Sequence, residues 1–267
     1  MIFVTNSYSF IPVLDADAKT YINAVESADG QSLENPVKVA INNFVIGCKN
    51  DGIWTAIKAS CILAGARTLS GALVPLVGTA PTNFNFVSAD YSRKNGLTGN
   101  GSSKYLSTNV AGNSASLPQD NAHFSIYATT GPTVAATGAY MGNGLTSTVG
   151  TVSMTRGAGS SLSFDVSLQN SAQSRQTLTN NAADWIGFRG VKRSNSTGIE
   201  TRRNNQTFTF TNTSTTRTTA NVFIFRLGTG TYGNGTYSFY SLGENLNLPL
   251  LDTRVSTLMT ALAAAIP

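Results

Sequence analysis

The stretch Leu162-Ser163-Phe164-Asp165-Val166-Ser167-Leu168 alternates apolar and polar side chains at every position. Successive side chains of a β-strand point to opposite faces of a sheet, so this pattern predicts a strand with one buried face. Residues 123–128 alternate in the same way, with Phe124, Ile126 and Ala128 on the apolar face. Short strands of this kind, divided by Gly, Asn and Ser, predict an antiparallel β-sandwich over residues 79–247, with Leu162, Phe164 and Val166 between its two sheets.

Two segments of this region give more specific predictions. Arg203-Asn204-Asn205-Gln206 interrupts residues 199–210 and predicts a hairpin tip, because Asn tolerates positive φ. Val222-Phe223-Ile224-Phe225 is apolar on both faces, which is typical of a strand in a sheet that is covered on each side. We therefore expect the terminal helices to dock at residues 222–225.

The residues before the sandwich have the periodicity of helices. Asp15 or Asp17 can cap a first helix, and Gly30 follows its end. Asn35 can cap a second helix, with Pro36 at the favoured first helical position. These signals predict two consecutive helices with little chain between them.

Further apolar positions extend the helical prediction to both ends of the chain. A third helix is expected after the break at Asp51-Gly52, with apolar positions Ile53, Trp54, Ile57, Cys61 and Ile62. A closing helix that Asn247 can cap is expected around Leu251, Val255, Leu258 and Leu262. The predicted organisation is therefore a helical docking region at 1–78, the sandwich at 79–247, and a C-terminal helix at 248–267 that packs with the first region.

Charge and composition point to a protein that presents a surface. Charged residues make up 12% of the chain, and the net charge is +5. The basic residues lie singly or in pairs without an aromatic-interleaved stripe, so specific nucleic-acid binding is not expected. The first ten residues lack a basic segment and an uninterrupted apolar run, so no signal peptide is expected, and no apolar stretch approaches a membrane span. These features predict synthesis in a cytoplasm without membrane insertion.

The sequence offers few groups for acid–base chemistry. His123 is the single histidine, and no Gly-x-Ser-x-Gly elbow accompanies it. The acids from residue 90 to residue 244 are Asp90, Asp120, Asp165, Asp184, Glu200 and Glu244. No two of them stand at i and i+2 on one predicted strand, so a glycosidase pair has no local signature. We expect no catalytic residue.

Cofactor and metal sites are not expected either. Gly228-Thr229-Gly230-Thr231-Tyr232-Gly233 matches the dinucleotide pattern G-x-G-x-x-G, but a strand rather than a helix is predicted to follow it. Cys48 and Cys61 cannot form a familiar zinc site with one histidine, and two buried thiols are favoured over a disulfide. Acids this sparse offer no calcium loop.

Aromatic residues beside polar ones are the remaining candidates for ligand binding. A ring face can stack on the C–H surface of a sugar while amides and guanidinium groups reach its hydroxyls. The candidates are Tyr140, Asn143, Trp185 and Arg189. The alternative for Trp185, which stands beside Ile186 and Phe188, is a place in the hydrophobic core.

Several motifs occur together in the first part of the chain. They include Tyr21-Ile22-Asn23-Ala24-Val25-Glu26, Gly52-Ile53-Trp54-Thr55-Ala56-Ile57-Lys58-Ala59, Gly71-Ala72-Leu73-Val74-Pro75-Leu76 and Asp90-Tyr91-Ser92-Arg93-Lys94-Asn95-Gly96-Leu97. Together they resemble a module of virion proteins of tailed bacteriophages. The later Arg202-Arg203-Asn204-Asn205-Gln206 and Phe239-Tyr240-Ser241-Leu242-Gly243-Glu244 resemble the closing part of laminin G-like, concanavalin A-like jelly rolls.

The resemblance implies a jelly roll on a phage particle and names no ligand residue. The expected function is that of a non-enzymatic virion protein, either a tail or fibre adhesin or a head decoration protein, which binds host-surface glycan or other virion proteins. The alternative is a glycan-cleaving enzyme of the same architecture, because one fold hosts many functions. By analogy to fibres, a symmetric homo-oligomer is expected, with a trimer favoured.

Overall fold

In the computed structural model, two antiparallel β-sheets pack face to face, and helices cover the outer face of one of them. The structure describes residues 13–132, 138–143, 151–156, 163–170, 174–177 and 185–267. The predicted antiparallel sandwich with helices towards both ends is confirmed. Leu162 and Asp184 lie outside the described residues.

Four α-helices are found in the described residues: Ala16–Asp29 (α1), Asn35–Asn50 (α2), Leu69–Ala72 (α3) and Leu248–Ala265 (α4). Short 3-10 turns span Trp54–Ala56 and Ser88–Asp90. The strands before residue 150 are Ile57–Ile62 (β1), Thr82–Phe84 (β2), Tyr91–Ser92 (β3), Gly96–Thr98 (β4), Tyr105–Ala111 (β5), Ala122–Thr130 (β6) and Gly138–Gly142 (β7). The later strands are Thr151–Arg156 (β8), Ser163–Asn170 (β9), Ser174–Thr177 (β10), Gly187–Arg193 (β11), Gly198–Arg203 (β12), Gln206–Thr211 (β13), Asn221–Ile224 (β14), Arg226–Leu227 (β15), Thr231–Tyr232 (β16) and Thr236–Gly243 (β17).

The described strands form two large sheets and one small hairpin. The inner sheet has the order β13-β12-β11-β6-β17-β4-β3, and β1 also pairs with β17. The outer sheet has the order β10-β9-β8-β7-β14-β5-β2, and β15 pairs with β16. The sandwich core between the two sheets contains Phe124, Ile126, Phe164 and Val166, as their alternation predicts.

The polar face of β9 is not exposed, contrary to the expectation of one buried face. Ser163, Asp165 and Ser167 are at most 3% exposed, so every residue of β9 is buried. The alternation in β9 therefore separates an apolar face from a polar face, but it does not show which face is exposed to solvent.

The first two helices form where the sequence predicts them. The Asp15 side chain accepts a hydrogen bond from the Asp17 amide at the start of α1, and Gly30 ends this helix with a φ of 67°. Asn35 is the first residue of α2 and not its cap, which is Glu34. The cap differs by one residue because Pro36, with its fixed φ, is tolerated throughout the first helical turn.

The predicted third helix is wrong. After the 3-10 turn at Trp54–Ala56, residues 57–62 form strand β1, which pairs with β17. Ile57 and Ile62 of this strand join the helical core, whereas Ala59 and Cys61 join the sandwich core. A strand that is apolar on both faces has no period of two, so its apolar residues happened to match helical spacing.

The helices dock on the inner sheet, so the prediction that they dock at residues 222–225 is wrong. The Phe44 ring of α2 meets Phe239 of β17 edge to face, with ring centroids 5.7 Å apart. Gly190 of β11 lets α4 approach, since a Cβ at this position would lie 2.8 Å from the Leu248 side chain. Residues 221–224 instead form β14 of the opposite sheet.

Charged contacts also hold the helices on the sandwich. Arg93, which follows β3, donates two hydrogen bonds to the Glu34 carboxylate, at 3.1 and 2.7 Å. Arg202 of β12 donates to Asp252 of α4 at 2.9 Å. The Arg93 hydrogen bonds lower the pKa of Glu34, although partial burial opposes this shift. Such partly buried, charge-assisted pairs fix the orientation of the helices against the sheet.

Cys48 and Cys61 are buried free thiols in separate cores. Cys48 of α2 belongs to the helical core, and Cys61 of β1 points into the sandwich. Burial raises the pKa of each thiol to about 12. Both are therefore protonated and unreactive near neutral pH.

Replacing Phe44 with Ala should destabilise the protein by ~3 to 5 kcal/mol, because it leaves a cavity against Phe239 in the helical core. The matched control is Asn43→Ala, an exposed position on the same helix, which should change stability by less than about 0.5 kcal/mol. Urea unfolding measures both. Equal effects of the two substitutions would show that α2 does not depend on this contact.

The stability of the protein should fall between pH 7 and pH 5 because of His123. This residue is fully buried, and its ring contacts the Glu244 carbonyl oxygen at 2.6 Å and the Ser241 hydroxyl at 3.0 Å. Burial lowers the pKa of His123 from 6.5 to about 4, although the Glu244 contact opposes this shift. Below pH 6.5 the unfolded chain therefore binds a proton that the folded chain does not bind.

This linkage amounts to a loss of about 2 kcal/mol of unfolding free energy between pH 7 and pH 5. His123→Gln should flatten the profile in this range, because the chain has no other histidine. Urea unfolding at several pH values measures the slope. If the unfolding free energy of His123→Gln depended on pH as steeply as that of the wild type, groups other than His123 would cause the dependence.

Candidate functional site

A cluster of partly exposed aromatic side chains lies on the outer face of the outer sheet, on the side opposite the helices. Its members are Phe84 of β2, Tyr105 of β5, Phe223 of β14 and Tyr232 of β16, and we call these four rings the aromatic platform. Phe84 is 37% exposed, and the other three rings are half-buried. An apolar surface that remains open to solvent is typical of a binding site.

The rings of the platform contact one another in a defined geometry. Phe84 and Tyr105 stack in parallel, with centroids 4.3 Å apart and planes inclined by 5°. Phe223 meets Tyr105 edge to face at 5.5 Å, and Tyr232 lies 6.2 Å from Tyr105. Tyr105 is thus the centre of the platform. Aromatic pairs of this kind add to the stability of a surface and hold its rings in place.

Strand register brings these distant residues together. Phe84 is the direct partner of Tyr105, and Phe223 is the partner of Ser107, two residues further along the same face of β5. Directly paired residues point to the same face of an antiparallel sheet. Their neighbours Leu106 and Ile224 point into the sandwich core.

A left-handed residue places a cation beside the rings. Phe225, between β14 and β15, has a φ of 68°, which is unfavourable for a residue with a Cβ. Its ring is fully buried and stacks on Tyr237 at 4.2 Å, and its amide donates to the Tyr140 carbonyl oxygen at 2.9 Å. This conformation reverses the alternation of the strand, so that Arg226 lies on the same face as Phe223.

Arg226 lies over three rings of the platform. Its guanidinium carbon is 4.5 Å from the Tyr105 centroid, 4.9 Å from that of Phe223 and 5.8 Å from that of Tyr232. The Arg226 Nε donates to the Gly228 carbonyl oxygen at 2.7 Å. These cation–π contacts and the hydrogen bond hold the guanidinium group in one orientation.

Polar side chains surround the platform on the same sheet. The Asn109 amide donates to the Thr82 hydroxyl and to the Ala80 carbonyl oxygen, both at 3.0 Å. Ser107 accepts from the Asn221 amide at 3.4 Å. Rings flanked by amides and hydroxyls can bind a ligand that has both apolar faces and hydroxyl groups.

The predicted site residues lie elsewhere, inside the sandwich. Tyr140 and Arg189 are fully buried, and Trp185 is 5% exposed. Arg189 lies 5.3 Å above the Tyr140 ring, and the Tyr140 hydroxyl donates to the Trp185 carbonyl oxygen at 3.1 Å. Asn143, also buried, donates a hydrogen bond to the Thr218 hydroxyl at 3.0 Å. Their role in ligand binding stays a prediction, and the structure gives all four a place in the interior.

The other sequence signals are structural as well. The G-x-G-x-x-G match covers the turn of the β15–β16 hairpin, strand β16 and Gly233, and strand β17 follows it, so no helix opens there. The hairpin tip predicted at residues 203–206 is confirmed, with positive φ at Asn204 and Asn205.

Several carboxylates of the sandwich are paired with lysines. Asp90 pairs with Lys104, Glu200 with Lys192 at 3.4 Å, and Glu244 with Lys58 at 3.0 Å. Partial burial opposes ionisation of Asp90, but Lys104 and the Val87 amide outweigh it and lower its pKa. A general acid requires the opposite shift.

Among the described residues, no group of three or more His, Cys, Asp or Glu side chains could hold a metal ion. No described helix is long and apolar enough to cross a membrane.

Sequence reasoning missed the aromatic platform because its members are far apart in the chain. The only local signal was the apolar character of both faces at residues 222–225, which is equally typical of a strand on which helices dock. In the structure, Phe223 points to the platform, Val222 and Ile224 belong to the core, and Phe225 turns inward.

Comparisons with solved structures show the fold. The botulinum neurotoxin serotype D binding domain superposes with a TM-score of 0.50 at 9% identity, over 76% of this chain and 51% of that chain. A mutant of Trypanosoma rangeli sialidase that displays trans-sialidase activity gives 0.48 at 12% identity, over 82% and 39%. The enzymatically active domain of bacteriophage CBA120 tailspike protein 2 gives 0.43 at 10% identity, over 66% and 29%.

These identities are low, so the likeness is one of fold alone. This chain spans about half of the neurotoxin chain and well under half of the other two. No protein-family model and no curated protein matches the sequence. The likeness to the neurotoxin binding domain therefore concerns the fold alone and assigns this chain no function.

Proposed function

We propose that this protein is a non-enzymatic component of a bacteriophage virion that binds host-surface glycan through the aromatic platform. The observation that carries the proposal is the position of the platform: four partly exposed rings on the sandwich face opposite the helices. Aromatic rings pack on the C–H surfaces of sugars, and the exposed side chains of Asn109 and Thr82 beside the platform supply hydrogen bonds to hydroxyl groups.

The arrangement of layers supports an orientation in the particle. The helices cover the inner sheet, and the platform lies on the outer face of the outer sheet. A neighbour bound to the helical side would therefore leave the platform pointing away from the particle. The helical side also has a cleft of about 470 Å³ lined in part by Tyr21, Trp54 and Leu76.

A tail or fibre adhesin and a head decoration protein both fit this orientation. We propose a symmetric homo-oligomer, with a trimer favoured by analogy to fibres. Mass spectrometry of purified particles should detect the chain, and light scattering should give the mass of a trimer. Absence of the chain from purified particles would contradict the virion assignment but not glycan binding.

Tyr105→Ala should weaken binding to host polysaccharide at least tenfold, because it removes the central ring of the platform, and tenfold corresponds to about 1.4 kcal/mol. Phe84→Ala should weaken binding in the same direction. The matched control is Phe208→Ala, which removes a half-buried ring from edge strand β13 of the other sheet. Glycan arrays and calorimetry measure binding, and melting temperatures confirm folding. Unchanged binding by both platform variants would exclude the platform as the site.

The alternative, a glycan-cleaving enzyme, is tested by the release of reducing ends from the same polysaccharide. We expect none from the wild-type protein, since Glu200 is held by Lys192 and Asp165 is buried. If cleavage were observed and were lost in Asp165→Ala, Asp184→Ala or Glu200→Ala, the protein would be an enzyme. Phe208→Ala again serves as the control for nonspecific effects.

A further inference from the structure

We infer that the aromatic platform selects glycans that carry a carboxylate, such as uronate or sialate residues, and that Arg226 binds this carboxylate. The inference rests on the proposed function of the platform and adds the chemical class of its ligand. It depends on the orientation of Arg226, on the absence of an acidic partner for it, and on the rings beside it.

Arg226 has donors left for a ligand. Its Nε is used by the Gly228 carbonyl oxygen, at 2.7 Å. In the part of the chain that the structure describes, its two terminal nitrogens have no hydrogen-bond partner. The side chain is half-buried, so the guanidinium group keeps an open side. A planar group with two terminal nitrogens matches the two oxygens of a carboxylate.

In the described part of the chain, Arg226 also lacks the carboxylate partner that several other arginines of the structure have. Arg93, Arg202 and Arg254 each pair with a carboxylate, at 2.7 to 2.9 Å. Among the described residues, no carboxylate oxygen lies within 4.0 Å of an Arg226 side-chain nitrogen. Asp90, the last residue of the 3-10 turn before β3, is already paired with Lys104. The positive charge at the platform is therefore not neutralised by the described residues.

The rings make the site suitable for a sugar acid rather than for a bare anion. Three of them contact the Arg226 guanidinium group and partly remove it from water, which strengthens its attraction for an anion. Phe84, stacked on Tyr105, keeps the largest exposed fraction of the platform. Phe84 stacks on Tyr105, and Arg226 lies over the same ring, so the edges of the two stacked rings remain for a ligand. A pyranose ring that lies across these edges would bring a substituent carboxylate towards Arg226.

The hydroxyl groups of Tyr105 and Tyr232 complete the ligand contacts. Neither has a hydrogen-bond partner among the described residues. Each can donate to or accept from a sugar hydroxyl. The platform thus offers ring faces, neutral polar groups and one cation within a single surface.

The test compares each acidic oligosaccharide with its neutral methyl amide. Glucuronate, galacturonate and sialate oligosaccharides serve as probes, and sulfated and phosphorylated neutral oligosaccharides serve as further arms. The wild-type protein should bind at least one carboxylate form at least tenfold more tightly than its amide. This arm needs no substitution, so it does not depend on the folding of a variant.

Substitutions of Arg226 assign the preference to this residue. Arg226→Gln should reduce the ratio between the affinities for the carboxylate form and for its amide to about one. Arg226→Lys keeps the charge but loses the planar pair of donors, and should give an intermediate ratio. Lys94→Gln removes the same charge from an exposed position and should keep the wild-type ratio. Melting temperatures check the fold of each variant.

The outcomes separate this inference from the proposed function. If the platform binds carboxylate and amide equally, or if Lys94→Gln lowers the ratio as much as Arg226→Gln, the inference is wrong and glycan binding remains. Stronger binding of the sulfated or phosphorylated arm would overturn the assignment of a carboxylate. If no oligosaccharide binds and Tyr105→Ala changes nothing, the proposed function fails as well.

Discussion

The whole structure depends on strand β17 being buried on both of its faces. Tyr237, Tyr240 and Leu242 point into the sandwich core, and Phe239 points into the helical core. The strand pairs with β6, β4 and β1, so it joins the centre of the inner sheet to the segment that follows the first two helices. One face of the inner sheet packs against the other sheet, and helices pack on its second face. The candidate site lies on the outer sheet.

The sequence predicts those features that depend on neighbours in the chain. The caps at Asp15 and Asn247, the glycine that ends α1 and the Asn204-Asn205 tip all depend on local backbone preferences. The alternation of Phe164 and Val166 predicts the sandwich. Strand β1 could not be predicted, because the apolar residues on its two faces belong to two different cores and so lack a period of two.

The site could not be predicted because the same chemistry occurs twice, once inside and once outside. Arg189 lies over the rings of Tyr140 and Phe164 in the interior, at 5.3 and 5.9 Å. Arg226 lies over Tyr105 and Phe223 at similar distances on the surface. Each of the two arginines has a tyrosine ring and a phenylalanine ring beside its guanidinium group. What distinguishes them is the pairing of strands distant in sequence and the left-handed Phe225, and neither can be derived from the residues alone.

The pairing of β1 with β17 has a consequence for the order in which the protein matures. The Tyr240 hydroxyl contacts the Cys61 sulfur at 3.4 Å, although 179 residues separate them in the chain. The platform likewise combines an early segment, Phe84 and Tyr105, with a late one that ends at Tyr232. Pairings between such distant segments form slowly, and they cannot form on the ribosome until almost the whole chain has been made. The four rings of the aromatic platform therefore cannot come together before synthesis has passed Tyr232.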